Sequence, residues 1–422
     1  MITVSIIGLG ARGGLTYASF QTHNSDLMKI VAIADLKEEL VEKYKNKFFV
    51  KAENCFSSGE ELLQKERLSD AIIIASMDKD HYKHVMAAID KGYDILLEKP
   101  ISLSLEECLD IQCKAREKGV HIRICHVLRY TAYFRKLKEL IQCGIIGDIR
   151  GVEHTENIAY WHYAHSFVRG NWKNSKETSP LILQKCCHDT DILTWMIDKV
   201  PKRVTSFGEL KYFTTENAPK DGPERCDRTC ERYDTCPYNA EKFYLEGYIN
   251  SSKERRENFW AYQVLCCGTA SLEKLEVALK TTDFGRCVFK CNNDVADHQT
   301  VAIEYENGVV ATLTVSAFTD KCYRNSKFFG TLGEIEAEDE KGIIRVKVFG
   351  KEEQVIDTTK LTDDLSGHNG GDNVLMKSFL MYLQDKKDGL ITNPYEENII
   401  ISHVLCFAAE RSKKSNGIPV EI

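Results

Sequence analysis

Ile2-Thr3-Val4-Ser5-Ile6-Ile7-Gly8-Leu9-Gly10-Ala11-Arg12-Gly13 opens the chain, and Lys29–Ala34 followed by Asp35 closes the unit it begins. The first six residues read as a strand, the glycines as a loop, and Gly14–Thr22 as a helix. A second strand ends at Asp35. Three glycines between a strand and a helix, with a carboxylate 22 residues after the last, match a dinucleotide-binding fingerprint. Gly8 permits the tight turn, Gly10 lets backbone approach a pyrophosphate, and Gly13 lets helix and strand pack closely. The helix N-terminus offers free N–H groups to phosphate. A carboxylate at Asp35 suits two ribose hydroxyls and repels a 2′-phosphate. NAD is therefore favoured over NADP, although Lys37 keeps NADP from exclusion.

The pattern continues outward to residue 126. Ala71–Ala75, Tyr93–Leu97 and Val120–Cys125 are apolar runs of strand length. His81–Lys91 and Ser104–Lys118 have helical spacing, and Ser104 with Glu107 makes a capping box. Apolar strands alternating with helices predict a doubly wound parallel sheet, an α/β domain over residues 1–126. Residues 127–422 predict a second, α+β domain. There Gly151–Ala159, Val204–Phe213, Gln299–Tyr305, Val309–Ala317, Ser326–Thr331 and Ile343–Phe349 alternate as antiparallel strands do.

Composition sets limits. The chain has 422 residues, enough for two or three domains, and a net charge of −7 that argues against a nucleic-acid partner. No apolar run is long enough to span a bilayer. The first residues lack a basic n-region and read as a strand, not a signal peptide. The 16 cysteines are then expected to be mostly reduced, which fits the cytoplasm.

Further marks follow the fingerprint in order: Ala75-Ser76-x-Asp78-x-x-His81, Glu98-Lys99-Pro100, His126 with Arg129-Tyr130, and His188-Asp189-x-Asp191. Together they resemble the glucose–fructose oxidoreductase, inositol dehydrogenase and rhizopine-catabolism family, Gfo/Idh/MocA. The resemblance implies a Rossmann domain, a second domain with a mainly antiparallel sheet, and a homodimer or homotetramer. It implies an NAD(P)-dependent oxidoreductase acting on a secondary alcohol of a small-molecule sugar, inositol or derivative. Gly8, Gly10, Arg12, Gly13, Asp35, Ser76, His81, Glu98 and Lys99 become candidate cofactor residues. Lys99 and His188 become the candidate catalytic pair.

One departure stands out. The family's aspartate lies four residues before the histidine, where this chain has Gln184. A glutamine takes no proton. Three readings stay open: His188 acts without a carboxylate, Lys185 takes over a polar role, or the chemistry differs from simple dehydrogenation. One such chemistry is an NAD-dependent glycosidase working by transient C3 oxidation, elimination, hydration and re-reduction. A non-catalytic NAD sensor is the third function class. Asp189 and Asp191 read as helix-capping carboxylates.

Tyr160, His162, Arg169 and Trp172 combine rings with polar groups as a sugar site does. With Arg129 and Tyr130 they form the candidate substrate set. Cys226-x3-Cys230-x5-Cys236-Pro237 lies in a cysteine-bearing insertion near residues 217–245, where three of the eight prolines fall. In a reducing compartment this spacing suggests structural zinc, with Cys266, Cys267, Cys287 or Cys291 as fourth ligand. An iron–sulfur cluster, free thiols and a disulfide are the alternatives.

Overall fold

The computed structural model describes residues 1–364, 366–391 and 398–422. Its first sheet holds six strands, all parallel: β1 (Ile2–Ile7), β2 (Met28–Ala34), β3 (Cys55–Phe56), β4 (Ala71–Ile74), β5 (Asp94–Leu97) and β6 (Ile122–Ile124), in the order β3-β2-β1-β4-β5-β6. Every residue of β4 and β5 is buried, as their unbroken apolar runs require of a sheet covered on both faces. The flanking helices end on their own signals. Ser104 Oγ accepts from the Glu107 amide at 3.1 Å, and Gly119 closes that helix at φ 65°. Strand order reverses between β1 and β4, so the loops leaving β1, β4 and β5 meet at a switch point.

The second sheet has nine strands: β7 (Ile149–Ala159), β8 (Pro201–Glu209), β9 (His298–Tyr305), β10 (Val310–Thr319), β11 (Tyr323–Gly330), β12 (Gly333–Glu338), β13 (Ile343–Val348), β14 (Gln354–Asp357) and β15 (Val420–Glu421). The order is β14-β13-β12-β11-β7-β10-β9-β8-β15, and every neighbouring pair is antiparallel except β7 with β10. β8 starts and ends a few residues before the expected Val204–Phe213. β12, β14 and β15 were not anticipated. β12 reads Gly-Glu-Ile-Glu-Ala-Glu, and its charge is met across the ladder where Lys327 lies opposite Glu336, 2.8 Å from its carboxylate.

Helices Cys187–Ile197, Gly371–Lys387 and Ile401–Lys414 lie between the sheets. Ile401–Lys414 packs on β8 and on Cys187–Ile197, and Gly371–Lys387 reaches β1. One apolar core runs from β1 through these helices to β7, β10 and β13. Between β8 and β9 the chain leaves the sheet for an excursion of short helices over residues 241–281, which has a small core of its own around Tyr244, Tyr262 and Leu275. Among the described residues no helix is long and apolar enough to cross a membrane.

Candidate active site

The glycine loop turns at Gly8, φ 86°, and the helix after it begins at Ala11 with π winding, three residues earlier than expected. A Cβ on Gly13 would stand 1.8 Å from the Gly8 carbonyl oxygen, and one on Gly8 2.4 Å from that of Ala75. Neither position accepts a side chain. A Cβ on Gly10 would meet nothing within 4 Å. That opening is where a pyrophosphate would lie against backbone. Asp35 closes the cradle, accepting from the Leu9 amide at 2.6 Å and the Lys37 amide at 2.8 Å. These residues fit NAD.

Gly10→Ala therefore separates folding from binding. Alanine adopts φ −70° without strain and has room there. Thermal stability should stay within about 1 kcal/mol of the parent, while the NAD Kd rises about tenfold or more, by filling the cradle. Calorimetric titration checks this, and unchanged affinity would move the pyrophosphate elsewhere.

Beside the loop stands Lys99, after β5 and before a cis bond to Pro100. Its Nζ donates to the Gln184 carbonyl oxygen at 2.8 Å, so a residue of the first sheet is anchored on the second domain. His188 is buried, and its Nδ1 has no hydrogen-bond partner. Burial and then the positive charge of Lys99 push its pKa well down, with His126, Arg324 and His368 adding. His188 is thus a neutral imidazole whose Nδ1 is sealed and unpartnered, within electrostatic reach of an ammonium group. His162 is held down in the same way by burial and by Lys185, His165 and Lys99.

Behind these groups runs a buried chain of charges. Lys185 Nζ lies 3.2 Å from Glu156 Oε1, Arg324 Nη2 lies 2.5 Å from Glu156 Oε2, and Arg324 Nε donates to Asp189 Oδ1 at 2.7 Å. His154 joins Asp189 Oδ1 at 2.9 Å and Ser326 Oγ at 2.7 Å. Burial tends to strip the charge from Lys185, but Glu156, helped by Cys322 and Asp189, leaves the lysine's pKa raised. Glu156 and Arg324 escaped the sequence reading. A signal existed: Val152, His154, Glu156 and Ile158 share one face of β7, and two polar side chains between buried apolar ones point inward.

Residues 2–126 match the family model of the oxidoreductase family's NAD-binding Rossmann fold, and residues 138–422 match that of its C-terminal alpha/beta domain. The chain belongs to the Gfo/Idh/MocA oxidoreductase family. This Gfo/Idh/MocA protein is an NAD-binding oxidoreductase. It is 26% identical over 328 residues to the oxidoreductase YteT of Bacillus subtilis, covering 74% of this chain and 72% of that one. It is 26% identical over 209 residues to the 2,7-anhydro-N-acetylneuraminate hydratase of Escherichia coli, 49% of this chain and 53% of that one. Among solved structures, an inositol dehydrogenase homolog of Azotobacter vinelandii complexed with NAD+ superposes with TM-score 0.68 at 14% identity, covering 100% of this chain and 97% of that one.

Several family-derived candidates have other partners here. Arg12 turns from the cradle: its guanidinium bonds Glu98 Oε1 at 2.6 Å, Tyr17 Oη at 2.6 Å and Asp372 Oδ1 at 2.7 Å. Glu98 is occupied by Arg12 and Tyr17; burial tends to raise its pKa, but Arg12 leads the groups that hold it low. His81 is buried with Nδ1 at 2.7 Å from Pro100 O and Nε2 at 3.1 Å from Ser76 O, and so braces the turn that carries Lys99. Ser76 Oγ bonds His84 Nδ1. Asp189 and Asp191 are not exposed caps but buried ion-pair partners. Asp191 takes Arg129 in a two-point bond at 2.7 and 2.6 Å, which removes that guanidinium from the substrate set. Tyr130 Oη accepts from Arg123, and Trp172 packs on the main core near Phe167.

Arg169 is the largest correction. Its guanidinium is buried and donates to Arg286 O at 2.8 Å and Tyr238 O at 2.7 Å, at the base of the cysteine segment rather than in the cleft. His162 lies within electrostatic reach of Lys185 and Lys99, whereas Tyr160 meets Tyr238 edge-on at 5.8 Å. His162 stacks on Trp161 at 5.6 Å and meets Trp260 edge-on at 5.0 Å, extending the ring surface into the excursion.

Buried neutral histidines also set the acid stability. Burial, aided by Arg129 and Lys99 against Asp191, lowers His126 from 6.5 to about 4, and burial with Arg169 lowers His165 to about 3. Below pH 6.5 the unfolded chain binds protons on these rings that the folded chain refuses. Their contribution is complete above that pH and is lost as pH falls toward 4. The urea midpoint should therefore drop between neutrality and about pH 5, before most carboxylates titrate. An unchanged midpoint over that interval would mean that the rings ionise in place.

Proposed function

We propose that this chain transfers a hydride between NAD and a secondary alcohol of a sugar, inositol or related derivative. NAD, when bound, supplies the hydride acceptor or donor. The protein's own task is to hold the alcohol oxygen and move its proton. The single observation that carries the reading is the buried, neutral His188 imidazole beside the Lys99 ammonium at the switch point. Lys99 holds the oxygen and stabilises negative charge growing on it, and the neutral His188 imidazole takes the proton. Lys185 stays charged on Glu156 and so completes the polar wall without serving as the base. Tyr160 and His162 offer ring faces to the substrate's C–H surfaces. Asp35 favours NAD over NADP.

A second reading draws on the hydratases among the relatives. Oxidation, elimination, hydration and re-reduction would return the cofactor unchanged, and the Lys185–Glu156 pair offers a second acid–base couple. A panel of inositols, sugars, uronic acids and aryl glycosides, incubated with the protein and NAD, separates the two. Rising NADH with an oxidised product supports the dehydrogenase. Product formation without net NADH, dependent on NAD, replaces it with the cofactor-recycling reaction. No turnover across the panel, with NAD bound, would sink both.

A further inference from the structure

The helical excursion between β8 and β9 has a narrow neck. The outgoing segment carries Cys226, Cys230 and Cys236, and the returning segment carries Cys287 and Cys291. The Cys226 amide donates to Gly285 O at 2.9 Å and the Cys287 amide to Glu224 O at 3.0 Å, around an antiparallel bridge between Arg225 and Arg286. Cys226 thus lies opposite Gly285 and Cys287 opposite Glu224, which sets the two cysteines diagonally on one face of the neck. Cys226, Cys230, Cys236 and Cys287 line one pocket, which Cys291 does not reach; Cys291 Sγ bonds the Cys287 carbonyl instead. None of the cysteines is in a disulfide.

Arg169 Nη2 stands 3.6 Å from Cys226 Sγ. A thiol sulfur gains little from N–H donors, whereas a thiolate gains much. Four thiolates gathered in one pocket need a cation between them. Four soft sulfurs with no histidine lining the pocket match tetrahedral zinc.

We propose that Cys226, Cys230, Cys236 and Cys287 bind one structural Zn2+ ion that clamps the neck of the excursion. Among the described residues no such group already stands arranged to hold an ion, so the thiols turn inward as the metal arrives. Four S–H bonds are replaced by four Zn–S bonds, the protons pass to solvent, and no electron moves. Arg169 then balances part of the negative charge.

The test uses the full-length protein. Metal analysis after dialysis should find about one zinc per chain. Chelator-treated protein given Co2+ alone should develop cobalt–thiolate charge-transfer bands and tetrahedral d–d bands. Zn2+ alone should protect four thiols from a thiol reagent. Cys287→Ser should retain metal at least about tenfold more weakly against a chelator, and Cys291→Ser should match the parent. Where Cys287→Ser does not fold, the cobalt spectrum and thiol protection of the parent decide. Metal-free protein with no cobalt–thiolate band, iron with sulfide in place of zinc, or equal loss in both variants would overturn the site.

Discussion

Lys99→Ala is expected to lower turnover by about 10²–10⁴-fold while NAD binding stays near that of the parent. The loss corresponds to about 3–5 kcal/mol of transition-state stabilisation. The reason is positional. Lys99 leaves β5 at the switch point, and its Nζ is tethered to Gln184 O, 85 residues on, at the turn leading into the His188 helix. Alanine removes the charge that stabilises a forming alkoxide. It also removes the charge, second only to burial, that keeps His188 neutral. The acid limb of the rate profile should then shift upward in pH, since a histidine relieved of a neighbouring cation protonates more readily. Lys99→Arg should not rescue, because a planar guanidinium cannot take the place of a compact ammonium on one carbonyl. Full turnover in Lys99→Ala would remove this lysine from the chemistry.

The largest expected effect on stability is that of Arg324→Leu. Arg324 is the only cation among the described residues shown bonded to both Glu156 and Asp189. Without it two buried carboxylates face each other, with Lys185 and His154 left to compensate. Breaking a buried ion pair by removing one partner costs about 3–5 kcal/mol, and this change breaks two. Lys327→Ala, three residues along the same strand in an exposed cross-strand pair, should cost less than about 1 kcal/mol. Urea midpoints of the two variants give the comparison. Equal, small losses would mean that the carboxylates protonate or hydrate at little cost.

These two residues mark what the sequence discloses and what it withholds. The glycine fingerprint and Asp35 were legible because their geometry is local: a strand, a turn and a helix fix all the atoms involved, whereas Lys99 and His188 were singled out by their motifs. Arg324 and Glu156 were not, because they meet only through the register of β11 on β7, where Arg324 is paired with Glu156 and Ser326 with His154. No local pattern sets a register between strands more than 160 residues apart. The same limit explains Arg12 and Arg169. Each looked like a ligand of its neighbourhood, yet each guanidinium is claimed by residues distant in sequence. Strands β12 and β14 were missed for another reason. β14 is four residues long at the sheet edge, and β12 alternates only Ile335 and Ala337 with its glutamates.

The bond from Arg12 to Asp372 joins the glycine loop to a helix 360 residues away in sequence. With Tyr17, Glu98 and Asp35 it braces the loop from three sides. A mould stiffened in advance gives up little conformational freedom when it is filled, so affinity is not spent on ordering the loop. The same brace makes the nucleotide cradle hostage to a distant position. Inherited or engineered changes at Asp372 would surface as a weakened grip on NAD.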